Sequence, residues 1–397
     1  MDADSVRRSV FQRCRIYIAD RSAEECAAHH RLASDEPGIR VFCIGGMDPF
    51  EAGHDGQRTV WMCAGVCGGA AGTNTDFRYW KTSEKIILKK SNNPLDNPVC
   101  PVYAMIGDTI SVTASGVTTE GVEYSWAFDG MDSITVVGAD KSTIMLRVPD
   151  TLATFDITVT ASAGDMYYTS IYTNTVTSVG PGSLTGVEES SNVFVDARDS
   201  QVYGYVKVGN LYWMDRNLNW EGAGQGYGKS DAAAFIFGRL YTWKDATGGE
   251  SASGLGNGVQ GVCPEGWSIP TKEDWEDLGA VLNGGEALAF GADWKGVAGK
   301  LMAYAYFNGE KVWPYSPQVD PTNDYGWNAL SAGTGMLGYT VWSNICKYGF
   351  WWCGTERDNG SAYFRYIFSE YPNVSVNYSS KDGMAASVRC VKLAQEV

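Results

Sequence analysis

The ten cysteines are spread so unevenly along the 397 residues that they divide the chain before any other feature does. Cys14, Cys26, Cys43, Cys63, Cys67 and Cys100 fall in the first quarter, none lies between residues 101 and 262, and Cys263, Cys346, Cys353 and Cys390 fall in the last third. So many thiols point to an oxidising compartment, and such a gap separates regions held together in different ways. At roughly 150 residues per domain the length allows two to three domains, each large enough to bury its own core. Three are expected, over residues 1–93, 94–182 and 193–397.

The first of these, a cysteine-containing module of unknown fold, has weak patterning. It offers an alternating run at Arg15–Ile18, a small-residue loop at Cys67–Gly72 and a closing strand at Lys85–Lys89. Cys26 with His29 and His30, and Cys63 with Cys67, suggest zinc only loosely, because their spacings match no structural-zinc pattern. After the Ser91–Pro94 break the pattern changes. Runs at Thr109–Ala114, Tyr124–Phe128, Ile134–Val137, Thr143–Val148, Phe155–Ala161 and Tyr167–Tyr172 recur about every ten residues, the spacing of a β-sandwich. Tyr124-x-Trp126 followed by Asp156-x-Thr158-x-Thr160 resembles the immunoglobulin-like modules of bacterial surface proteins and phage virions, without their cysteine pair. Such a module reads as a spacer, and Ser178–Ser183 as the linker after it.

Charge narrows the range of partners. A net charge of −15 repels phosphate backbones and anionic lipid heads, so nucleic acid is not an expected partner. The opening MDADSVRRSV has no apolar core of a signal peptide, and no stretch approaches the ~20 apolar residues of a membrane helix, so no membrane insertion is expected. The 14 Trp and 22 Tyr favour binding surfaces, since these side chains supply rigid contact area at low entropic cost.

The last two hundred residues carry the strongest local signals. In IPTKEDWEDLGAVL, Thr271 caps a helix with Asp274 three residues on, while Trp275, Leu278 and Leu282 share a face. Ala386–Lys392 alternates as a closing strand. The stretches GNLYWMDRNL (209–218), GRLYTW (238–243), GVCPEGWSIPT (261–271), AGKLM (298–302), FWWCGTE (350–356) and SVRCVK (387–392), in this order, resemble the Fibrobacter succinogenes major paralogous domain of secreted and surface proteins. That resemblance covers about half the chain. It implies an α+β, C-type-lectin-like fold and pairs Cys263 with Cys390 in a structural disulfide. The expected fold class is therefore multidomain: an immunoglobulin-like β-sandwich followed by a C-type-lectin-like domain.

Departures from the family pattern suggest where a ligand binds. Cys353 and Gly354 replace two serines of the usual run, and Cys346 and Cys353 are either bridged or two thiols. Serine codons of the AGC type become Cys or Gly by one change at adenine, so the replacement fits the variable proteins of diversity-generating retroelements, which such domains are also similar to. Residues 338–381 mix rigid aromatics with adaptable polar groups, as paratopes do. On that reading Trp342, Asn344, Tyr348, Trp351, Cys353, Arg357, Asp358, Asn359, Tyr363, Arg365, Tyr371, Asn373, Asn377 and Tyr378 form one exposed face that contacts a protein or glycan receptor. Trp352, Phe364 and Phe368 are assigned instead to the core. The sequons at Asn359, Asn373 and Asn377 are read as coincidental in a bacterial or phage chain.

Catalysis is not expected. The three histidines, His29, His30 and His54, lie outside this domain, so a triad would lack its usual base. Nothing in the sequence brings Asp231, Asp274 and Asp293 together as carboxylate pairs. A formylglycine-generating arrangement of Cys346 and Cys353 is disfavoured by their spacing. The Trp-Asn-Asp and Glu-Pro-Asn motifs of calcium-dependent lectins are missing, so no metal and no cofactor is expected. The leading function is extracellular adhesion or receptor recognition at a bacterial or phage surface. A structural pilus or cell-surface subunit and a polysaccharide-binding accessory protein are the alternatives.

Overall fold

The computed structural model describes residues 98–115, 122–130, 135–140, 142–163, 170–314 and 319–394, together with the backbone of the strands Cys43–Gly45, Arg58–Cys63 and Ile86–Leu88. Those three strands pair antiparallel, with Cys43 opposite Cys63. The Arg15–Ile18 run, the Cys67–Gly72 loop, and the zinc candidates Cys26, His29, His30 and Cys67 lie outside the described residues, as do Ile134 and Tyr167. The described chain is mostly sheet, with only three short α-helices.

Residues from Tyr103 to Val179 build two sheets around a shared core. One has the order Tyr103–Met105, Ser170–Val179, Thr154–Ala163, Val122–Asp129; the other has the order Thr109–Thr113, Thr143–Arg147, Thr135–Asp140. Strand periodicity explains the arrangement. In Val122–Asp129 the half-buried Val122, Tyr124, Trp126 and Phe128 alternate with exposed Glu123, Ser125, Ala127 and Asp129. Ile110, Val112, Ile144, Leu146, Phe155, Ile157 and Val176 from both sheets close the core. Tyr103–Met105, which pairs parallel with Thr177–Val179, has no counterpart among the expected strands, because three residues are too few to show a period.

The segment after the sandwich differs from the expected linker. Ser178, Val179, Gly180 and Ser183 are buried, with Gly180 N donating to Ser183 Oγ at 2.9 Å and Asn308 Nδ2 to Ser178 O at 2.8 Å. Ser230 Oγ reaches back to Tyr103 O at 2.8 Å, and the Tyr103 ring lies 5.7 Å from Phe307. Tyr103 and Val179 thus belong to the hydrophobic core of the C-terminal head. Small and turn-forming residues signal a loop, but tertiary contacts decide whether that loop is free.

The head contains helices α1 (Asp231–Phe237), α2 (Trp243–Thr247) and α3 (Lys272–Leu282). The α3 cap is the expected box: Asp274 N donates to Thr271 Oγ1 at 3.2 Å, and Thr271 N to Asp274 Oδ2 at 2.8 Å. Trp275, Leu278 and Leu282 are buried beneath it. A four-stranded sheet runs Val193–Val195, Val202–Val208, Leu211–Met214, Val391–Leu393. A small sheet joins Leu184–Thr185, Tyr306–Phe307 and Glu310–Lys311. The largest sheet has the order Val341–Ser343, Thr334–Met336, Met384–Ser387, Tyr348–Glu356, Ser361–Phe368, Val374–Ser380, with Leu240–Thr242 also on Met384–Ser387.

The closing strand expected at Ala386–Lys392 is two strands in different sheets, Met384–Ser387 and Val391–Leu393. Arg389 explains the break. Its guanidinium is fully buried, stacks 3.9 Å from the Trp327 ring and donates to the carbonyls of Met214, Trp327 and Asn328 and to Asn217 Oδ1. Burial lowers this group to about 9, so it stays charged at neutral pH. Asn217 Oδ1 takes bonds from Arg389 Nη2 at 2.9 Å, Arg389 Nε at 3.3 Å and Trp351 Nε1 at 2.8 Å. Three of the motifs that carry the family resemblance therefore converge on one buried carboxamide oxygen.

Cys263 and Cys390 are bonded, with Cα atoms 5.8 Å apart and a sequence separation of 127. In the chain-entropy model a loop of that length contributes about 5 kcal/mol.

Candidate functional site

The strand Tyr348–Glu356 pairs with Ser361–Phe368 so that Tyr348 faces Phe368, Phe350 faces Tyr366, Trp351 faces Arg365 and Trp352 faces Phe364. Successive side chains alternate between two hydrophobic cores, one on each side of the sheet. On one side, Trp351, Cys353 and Ile367 join the core that contains Trp213, Trp275 and Trp327. On the other, Phe350, Trp352 and Phe364 join the core around Trp243, Trp267 and the disulfide.

This second side carries a continuous run of rings. Tyr348 stacks on Phe368 at 4.3 Å and 9°, and on Phe350 at 5.4 Å and 5°. Phe350 meets Phe364 at 5.7 Å, and Phe364 meets Trp352 at 5.9 Å. Trp352 is wholly enclosed, whereas Tyr348, Tyr366 and Phe368 are half-buried and Tyr371, 5.2 Å from Phe368, is 55% exposed. Burial, then the fields of Tyr366, Glu370 and Tyr371, raise the Tyr348 phenol above its ordinary value. The exposed end of the run therefore combines aromatic edges, phenol hydroxyls and a carboxylate.

The fourteen residues singled out in the sequence do not form one face. Trp351, Cys353 and Arg365 are buried and need correction. Trp351 bonds Asn217. Arg365 donates to the carbonyls of Ala292 and Phe290 and lies 3.8 Å from the Trp294 ring. The Cys353 carbonyl accepts Trp243 Nε1 at 2.9 Å, and burial pushes the thiol up to about 12. Gly354 is buried too, and a side chain there would meet Ile269 O at 3.3 Å. The two positions that suggested diversification are thus interior ones.

Cys346 and Cys353 are both free thiols. Five residues of extended strand already hold Cys353 roughly 16 Å from Tyr348, far beyond the ~4.4–6.8 Å Cα spacing of a disulfide.

The rest are scattered over the head. Arg357, Asp358 and Asn359 form the exposed hairpin tip, where Arg357 covers the Tyr378 ring at 3.5 Å and Asp358 Oδ1 accepts Gly360 N and Ser361 N. Tyr348 and Tyr371 lie at the opposite end of that hairpin, and Asn373 accepts Gly296 N nearby. Trp342, wedged between Tyr227 and Tyr339 at 5.6 and 6.0 Å, and exposed Asn344 belong to the far side of the sheet. Tyr363 packs edge-on against Phe290 at 5.3 Å, and Asn377 is exposed opposite Phe364. Of the three residues assigned to the core, Trp352 and Phe364 are buried, while Phe368 is half-exposed. Tyr366 and Phe368 were missed as surface groups; only the pairing register distinguishes them.

The three aspartates are not paired. Asp274 caps α3, Asp231 bonds Arg239 at 2.7 Å, and Asp293 accepts Val376 N at 3.2 Å.

A disulfide-closed, β-rich head, with one sheet between two aromatic cores and an open run of rings at its end, defines the class. Residues 206–392 match the Fibrobacter succinogenes major domain, and this part of the chain is a domain of that family. No curated protein matches the chain. Among solved structures, a nucleoside hydrolase-related protein from Saccharophagus degradans, associated with carbohydrate metabolism, is 13% identical at a TM-score of 0.16. That likeness covers 21% of this chain and a quarter of that protein, 25%. The adhesin InvE of Yersinia pseudotuberculosis is 11% identical over 88% of this chain and 85% of its own, at a TM-score of 0.22. Likenesses this slight carry no argument about the site.

Proposed function

We propose that the protein is a surface or secreted recognition protein whose head binds a protein or glycan receptor through the exposed end of the aromatic run, and that it catalyses no reaction. The observation that carries this reading is Tyr371, held beside half-buried Phe368 and more than half exposed at the open end of a run whose inner rings, Phe350, Trp352 and Phe364, are buried. Rigid aromatics bordered by polar groups favour binding hot spots, and their buried neighbours pre-organise them. The finer fold reading is an immunoglobulin-like sandwich and a C-type-lectin-like head. Support comes from the parallel pairing of Tyr103–Met105 and from Val391 lying opposite Trp213, which brings the head's two ends together. Diversification, on this reading, is confined to exposed positions such as Tyr371, Asn377 and the hairpin tip.

The test is binding of the full chain to a panel of cell surfaces and glycans, beside Tyr371→Ala with Tyr366→Ala and, separately, Arg357→Ala with Tyr378→Ala. Binding lost only in the first pair supports the site. Binding lost only in the second moves it to the hairpin tip.

A structural subunit is the second reading. The edge strand Val193–Val195 exposes Val193 and Val195 beside Val202, an apolar edge suited to strand addition. Sedimentation that rises with concentration would favour it.

A further inference from the structure

A cavity of about 150 Å³ lies beside the small sheet, and its lining includes Tyr304, Tyr306, Lys311, Trp313, Asp320 and Ser369, the last of these adjoining Phe368 of the aromatic run. Its corner is two tyrosines set at 85° with centroids 5.7 Å apart and hydroxyls 3.1 Å apart. Tyr304 is 53% exposed, although Ala303 and Ala305 on either side of it are buried. The backbone therefore presents this ring outward while its neighbours anchor the segment. Gly186, at a φ of 80°, permits the close approach: a side chain there would meet Tyr304 O at 2.5 Å.

We infer that this cavity binds one neutral hexopyranose residue of a glycan. A pyranose has an apolar C–H face and a rim of hydroxyls that both donate and accept. The exposed Tyr304 face suits the first, since ring faces carry negative charge that attracts C–H groups. The rim is met by the phenol pair and by Asp320, whose carboxylate only accepts. Size sets the limit, because a cavity of ~150 Å³ holds a single six-membered ring. The Asp320 carboxylate and the net charge of −15 both disfavour a phosphorylated ligand.

The test is saturation-transfer NMR on the full chain with methyl β-D-glucopyranoside, methyl β-D-galactopyranoside and methyl α-D-mannopyranoside as probes. Transfer to the ring protons of at least one probe is expected. Affinity should fall about tenfold, roughly the scale of one ring contact with its buried area, in Tyr304→Ala. Asp320→Asn should weaken it as well, and Tyr371→Ala should leave it unchanged. Absence of transfer from all three probes, or transfer that persists in both Tyr304→Ala and Asp320→Asn, overturns the inference. Loss in Tyr371→Ala alone would place the sugar at the aromatic run, overturning this cavity while leaving the recognition reading intact.

Discussion

Asn217 ties three segments of the head together. Its Oδ1 is shared by Trp351 Nε1 and the guanidinium of Arg389, and its Nδ2 donates to Phe237 O at 2.8 Å. Asn217→Ala would leave an indole N–H and part of a buried cation without acceptors, at a cost of about 2–4 kcal/mol. Urea unfolding followed by tryptophan fluorescence measures that loss, and a change under 0.5 kcal/mol would show the network to be dispensable. Asp196 carries the clearest pH dependence. Burial alone would raise its carboxyl, but the Arg198 fork, at 2.9 Å to Oδ1 and 2.7 Å to Oδ2, outweighs burial and holds it below the ordinary value. Its stabilising contribution is complete above the unfolded-state value near ~4 and is lost as pH falls through the depressed folded value. The stability difference between the wild type and Asp196→Asn should therefore be steady at neutral pH and shrink on acidification below about 4.

At the scale of elements, the helix Lys272–Leu282 was fully legible, since its cap and apolar face lie in one short stretch. Most sandwich strands were legible for the same reason, because one face of each is wet. The strand Tyr348–Glu356 was not. Packed on both faces, it reads as an unbroken apolar run, and nothing in FWWCGTE tells which rings face which core. Composition selected Trp351 and Arg365 as surface groups, and departure from the family pattern selected Cys353, whereas pairing with Ser361–Phe368 puts all three inside. Buried arginines add to the difficulty, because a charge normally marks the outside. The two-core arrangement makes a sharp prediction: Trp352→Ala should cost about 3–5 kcal/mol, while Tyr371→Ala stays within about 0.5 kcal/mol. Equal effects in thermal denaturation would mean that Tyr371 is part of the core and not of a binding surface.

At the scale of the molecule, sandwich and head share a core through Tyr103 and Val179, so the two should unfold together. Tyr103→Ala is expected to split one calorimetric transition into two or to broaden it. Unchanged, single-transition melting would show that the shared contacts carry little. The bond between Cys263 and Cys390 has a consequence for load. Under a pull on the two chain ends, the loop that this bond closes, with a sequence separation of 127, cannot extend. At ~3.5 Å per residue, about 440 Å of chain stays locked until the sulfurs are reduced. Single-molecule extension in the presence and absence of reductant should differ by that length, making the redox state of the medium a determinant of how far this protein can stretch.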